Sequence, residues 1–195
     1  MENSIFTRKQ IRALVIPLII EQLLASLMGT VDTMMVSAAG SAAISAVSLV
    51  DAINVLIIHV FSALAAGGSI ICAQYLGRGD RREANETGRQ LILCVTLLSS
   101  AVMIAFIALR SPMLRLIFGS VEPDVMSSAQ VYLLITALSY PFIALYNAGA
   151  ALFRVDGNSR LPMAVSTICN LIDFGGNALL IFTFKMGAAG AALST

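Results

Sequence analysis

Residues 17–36 read PLIIEQLLASLMGTVDTMMV, twenty residues in which Glu21 and Asp32 are the only charges. A helix of that length rises about 30 Å, the thickness of a bilayer's hydrocarbon core. The apolar run extends back to about residue 11, behind Arg8, Lys9 and Arg12. It is too long, and too interrupted by acids, for a cleaved leader. Four further runs of spanning length follow, at about 47–76, 90–110, 129–152 and 161–184. The expectation is an all-α, polytopic transmembrane bundle of five helices forming a single unit over 1–195, with an interfacial turn over 111–128.

Composition agrees. Apolar residues make up 58% of the 195 and charged residues only 12%, with mean hydropathy +0.88. A soluble domain carries about 25% charge and cannot hide this much apolar surface in one core. The net charge of +1 leaves no basic footprint for nucleic acid. Cys72, Cys94 and Cys169 stand alone in apolar runs, which fits small buried hydrophobes better than a disulfide framework or a zinc site. One histidine, no G-x-S-x-G and no phosphate-binding glycine loop leave enzyme chemistry without support.

The cations set an orientation. Nine of the twelve (Arg8, Lys9, Arg12, Arg78, Arg81, Arg82, Arg89, Arg154 and Arg160) fall at alternate connections on one side. Arg110, Arg115 and Lys185 fall on the other. The positive-inside rule then puts the N-terminus in the cytoplasm of a plasma (inner) membrane. Gly77-Arg78-Gly79-Asp80 breaks helix two, with Asp80 placed to cap helix three, and Asp156-Gly157-Asn158 turns the chain into helix five.

Acids inside the spans cost about 2.5–3.5 kcal/mol each at mid-membrane and demand a reason. Glu21 and Asp32 are about 20° apart around helix one and about 16 Å apart along it. Asn170, Asp173 and Asn177, spaced by three and four, share one stripe of helix five. By depth, Asp32, Asp173 and Asn177 meet in the outer half of the membrane, with His59 of helix two at a similar level. Asn54 adds a further polar group on helix two. Asp51, near that helix's outer end, reads as a cap or another polar group of the same cavity, and Glu21 as a secondary one. No lysine or arginine matches their depth, so these acids either take up protons or hold a cation such as Na⁺, with Asp32 its main ligand. The structural alternative is polar packing between helices.

These residues also carry a likeness. Pro17–Val36, the stretch NVLIIHVFSALAAGGSIICAQYLGRGD (54–80) and the terminal NALLIFTFKMGAAGAALST (177–195) together resemble the N-terminal part of the MATE family of multidrug and toxic compound extrusion transporters. The resemblance implies a secondary antiporter that exports small organic compounds in exchange for Na⁺ or H⁺, with no other cofactor. It implies twelve helices in two lobes, of which this chain matches five. The helix-one acid of the family's ion site falls on Asp32. Many members carry the helix-five acid where this chain has Asn177, and asparagine where it has Asp173. Transport then requires the missing C-terminal lobe, or a second copy, as partner within the lipid. The alternatives are a flippase for lipid-linked oligosaccharides, which favours cationic cavities, and a non-transporting membrane fragment.

Overall fold

The computed structural model describes residues 8–37, 41–119, 121–183 and 187–194, and among them there is no strand. The helices are α1 (Arg8–Ser37), α2 (Ser41–Gly77), α3 (Arg81–Phe118), α4 (Pro123–Val155), α5 (Arg160–Asn177) and α6 (Gly187–Ser194), with a π-helical stretch, Ala178–Thr183, following α5. Five of them are long and apolar enough to cross a membrane. The all-helical bundle expected from the sequence is what folds.

The helices are longer than the apolar runs that announce them. α3 has 38 residues, about 57 Å, and begins nine residues before the expected start at 90. Its charge-free part, 90–109, matches the hydrocarbon thickness, and the helix continues past both ends of that part. The interfacial turn expected over 111–128 is accordingly not formed. α3 runs on through Pro112 to Phe118, and α4 starts at Pro123, a residue suited to a first helical turn. Arg110 and Arg115 end the apolar count without ending the helix, because arginine is a good helix former. Lys185, the side chains of Arg8 and Lys9, and the expected last residue of helix five lie outside the described residues.

The turns form for the reasons their residues suggest. The Asp80 carboxylate accepts from the Glu83 backbone N–H at 3.1 Å and caps α3. Gly79 before it has φ 79° and Gly157, after α4, φ 83°, both in the left-handed region that glycine enters without a Cβ penalty. Asn158 Oδ1 accepts from the Leu161 N–H at the start of α5.

α4 is the axis of the bundle, packed chiefly on α2 and α3. Ala137, Tyr140, Ala144 and Ala148 recur at three and four residues along its face and are fully buried. Small side chains let α2 and α3 approach, and Tyr140 fills the gap with edge contacts to Phe61 and Phe106 at 6.1 and 5.6 Å. A second cluster gathers Val36, Val50, Leu114, Leu133 and Ile181. α1, like α5, buries little: of its described side chains only Pro17 and Val36 are buried, and Leu23 and Leu27 stay more than half exposed.

α2 meets α3 at Gly68. A Cβ there would lie 2.5 Å from Leu91 Cδ1 and 3.0 Å from its Cγ. Gly68→Ala is therefore expected to destabilise the bundle by about 1 kcal/mol through overpacking. Leu91→Ala in the same chain should relieve the clash, and detergent-phase denaturation of the two variants measures both effects.

Candidate functional site

α1 and α5 meet through polar groups. Asn177, the last residue of α5 before the π-helical stretch, is 1% exposed, and its Nδ2 donates to Asp32 Oδ1 at 2.9 Å and to Asp173 Oδ1 at 3.2 Å. One amide nitrogen thus holds two carboxyl oxygens within about 6 Å of each other. The spacing of four puts Asp173 and Asn177 on one side of α5, and the widened π turns begin where Asn177 must face α1. Two carboxylates this close repel each other in a low-dielectric setting, and the shared Asn177 amide offsets part of that repulsion by donating to both.

Asp32 and Asn177 line a cavity of about 160 Å³, and its opposite wall carries Asp51, Tyr132 and Ser48. Asp51 is not a cap. It lies well inside α2, where its Oδ1 accepts from the Tyr132 hydroxyl at 2.9 Å and from Asn54 Nδ2 at 3.4 Å. Asn54 Oδ1 in turn accepts from the buried Tyr140 hydroxyl at 2.8 Å. A hydrogen-bonded chain therefore runs from the cavity into the α2–α4 core. Tyr132 and Tyr140 are absent from the residues singled out in the sequence. Their signal was available, since Tyr132, Thr136 and Tyr140 recur every four residues along an otherwise apolar stretch of α4.

Three expected site residues fall elsewhere. Glu21 does not share the cavity. Arg154 of α4 binds it through Nη2, at 2.9 and 2.8 Å from its two oxygens, and Tyr146 donates to it at 3.2 Å. The expectation that no cation matches the acids in depth is thereby corrected for Glu21, because the long Arg154 side chain reaches up from the end of α4. His59 is exposed, with Nδ1 2.8 Å from the Val55 carbonyl of its own helix. Asn170 sits one turn before Asp173, but its Nδ2 is buried and makes no hydrogen bond among the described residues. Nor do the described residues contain three or more histidine, cysteine or acidic side chains grouped to hold a metal. Ligands for Na⁺ at Asp32 would have to include amide or hydroxyl oxygens, which this cavity has.

Comparison with known proteins agrees with this arrangement of helices. The "Uncharacterized transporter YisQ" of Bacillus subtilis (strain 168) is 30% identical over 184 residues, covering 92% of this chain and 40% of its own length. A "Probable multidrug resistance protein NorM" of Thermotoga maritima is 26% identical over 192 residues, covering 96% and 41%. Among solved structures, the outward-facing conformation of a multidrug resistance MATE family transporter of the MOP superfamily superposes with a TM-score of 0.90 at 22% identity, over 96% of this chain and 41% of that one. At that identity the likeness speaks for the fold alone. The chain spans about two-fifths of the length of the curated relatives it matches. The MatE family profile matches residues 17–179, a stretch that contains Glu21, Asp32, Asp51 and the whole Asp173–Asn177 pair, so this multi-pass membrane chain belongs to the MatE family.

Proposed function

We propose that the chain carries the ion-coupling half of a secondary antiporter that exports small organic compounds against an inward flow of H⁺ or Na⁺. The observation that carries this reading is the Asn177 amide bridging Asp32 of α1 to Asp173 of α5. Loading or removing one positive charge there changes the contact between two helices, which is the differential interaction that a coupled transporter needs. Asp51 faces the same cavity and belongs to its polar lining, with Tyr132 beside it in that lining and Asn54 behind it.

Membership of the MatE family and the relatives' names support transport rather than catalysis. The cavity's acidic lining favours a cationic guest over the pyrophosphate of a lipid-linked sugar. Alternating access requires one bundle to rock against another. A second lobe, or a second copy of this bundle, supplies that partner. The cation distribution supports a plasma (inner) membrane position with the N-terminus in the cytoplasm.

The purified chain in detergent provides the test. Radioactive sodium retention and the infrared band of protonated carboxyls are followed together across the neutral pH range. One bound Na⁺, or one carboxyl that gains and loses its proton in that range, is expected. A chain that shows neither overturns the assignment.

A further inference from the structure

Two carboxyls of the bundle are met by their neighbours in opposite ways. Both oxygens of Glu21 are bound, at 2.9 and 2.8 Å, by Arg154 Nη2. Asp51 receives both of its donors on one oxygen. Its Oδ1 accepts from the Tyr132 hydroxyl at 2.9 Å and from Asn54 Nδ2 at 3.4 Å, and Oδ2 makes no hydrogen bond among the described residues. The arrangement is fixed from behind. Tyr140, fully buried, donates to Asn54 Oδ1 at 2.8 Å and so turns the Asn54 amide nitrogen toward Asp51.

A carboxylate spreads its charge over two equivalent oxygens, and each draws donors where water is scarce. A neutral carboxylic acid has one carbonyl oxygen that accepts and one hydroxyl that donates. Glu21 has the first pattern and Asp51 the second. The surroundings of Asp51 point the same way. It lies inside a helix long and apolar enough to cross a membrane, and no lysine, arginine or histidine lines its cavity. The titratable groups that face it are Tyr132 of α4, Asp32 of α1 and, joined to Asp32 through Asn177, Asp173 of α5. α6 brings Ala191. α3 packs Phe106 and Leu114 on the adjoining apolar cluster, and its Arg110 and Arg115 do not line the cavity.

We propose that Asp51 is a proton site separate from the α1–α5 cluster. It rests as a neutral acid, with Oδ1 as the carbonyl oxygen and the proton on Oδ2, and it gives that proton up when a cation reaches Asp32. The O–H bond at Oδ2 then breaks, the electron pair stays on the carboxylate, and the proton leaves through the cavity of about 160 Å³ that both residues line. The arriving positive charge takes over the neutralising part that the proton played. Linkage makes the effect mutual, so a proton on Asp51 also weakens the hold on the cation. The release rests on the α1–α5 cluster being an ion site, whereas the resting proton does not.

The test is infrared spectroscopy of the purified whole chain in detergent near neutral pH, first without sodium and then with it. The sodium-free spectrum of the wild type minus that of Asp51→Asn is expected to show one protonated-carboxyl band. Tyr132→Phe removes a hydrogen bond to the carbonyl oxygen and should move that band to higher frequency. Circular dichroism checks that both variants are folded. Asp51→Asn is the gentler change, because an amide keeps the carbonyl oxygen and offers N–H where the acid offers O–H. Sodium should then erase the band and release protons into weakly buffered solution, a release that Asp51→Asn lacks. A sodium-free spectrum that Asp51→Asn leaves unchanged, or a band that Tyr132→Phe does not move, overturns the resting proton. A band that persists while sodium is retained overturns the release. A chain that retains no sodium overturns the sodium reading of the α1–α5 cluster and the release with it, and the Asp51 band still decides the proton.

Discussion

Asp32→Asn is expected to lower the affinity of the α1–α5 site for its ion by about tenfold to a hundredfold while leaving the bundle folded. The two effects separate because the side chain has two jobs. Its Oδ1 accepts from Asn177 Nδ2 at 2.9 Å, and an asparagine oxygen in the same place can accept that bond as well. The charge cannot be replaced in this way, and a charged partner contributes about 1.5–3 kcal/mol per hydrogen bond or ion contact. Sodium retention and carboxyl protonation are the readouts, with thermal denaturation in detergent as the control. The exchange Asp173→Asn with Asn177→Asp offers a rescue. It keeps two carboxyls and one amide in contact at the same helix crossing, in the order that the family resemblance leads one to expect, so ion binding should survive it. Loss of binding in this double variant but not in Asp173→Asn alone would show that the amide position, and not the carboxyl pair, sets the site.

The Asp32, Asp173 and Asn177 cluster was legible because it follows from two periodicities. Helical spacing puts Asp173 and Asn177 on one stripe, and 1.5 Å per residue gives their depth once the spans are known. Helix ends were less legible. A hydropathy count stops at the charges, near Arg89 and Arg110, and cannot see that the helix continues past both of them. Glu21 was misplaced for a related reason. Its azimuth matches that of Asp32, but three turns of helix separate them, and the residue that reaches it, Arg154, was read as a loop cation. A long side chain at a helix end can lie within the membrane while its Cα stands at the rim. The two readings of Asp51 needed the structure to separate them, since the start of α2 at Ser41 rules out a cap and the Tyr132 hydroxyl on α4 fixes the carboxyl at the cavity.

Arg154→Gln should destabilise the bundle by about 3 kcal/mol, more than any other single change to its polar contacts. The Glu21 side chain is 15% exposed and both of its oxygens bind the same guanidinium nitrogen, so among the described residues removing the arginine leaves the carboxylate with the Tyr146 hydroxyl alone, at 3.2 Å, to meet it. Breaking a buried pair from one side costs about 3–5 kcal/mol, whereas replacing both partners with uncharged groups of similar size is close to neutral. Arg154 is 31% exposed, which places the expected value at the lower end. Glu21→Gln with Arg154→Gln should therefore recover most of the loss, and a double-mutant cycle of denaturation midpoints in detergent measures the coupling. The size of the effect also follows from what α1 lacks. With only Pro17 and Val36 buried among its described side chains, α1 has little apolar packing to hold it against α4 and α5. Polar contacts at two levels, Asp32 with Asn177 and Glu21 with Arg154 and Tyr146, tie it to them about 16 Å apart along its length. Hydrogen exchange should then rise along α1 from the Glu21 end in Arg154→Gln and from the Asp32 end in Asn177→Leu. Uniform loosening in both variants would mean that α1 is held by lipid or by a partner bundle and that neither tie is local.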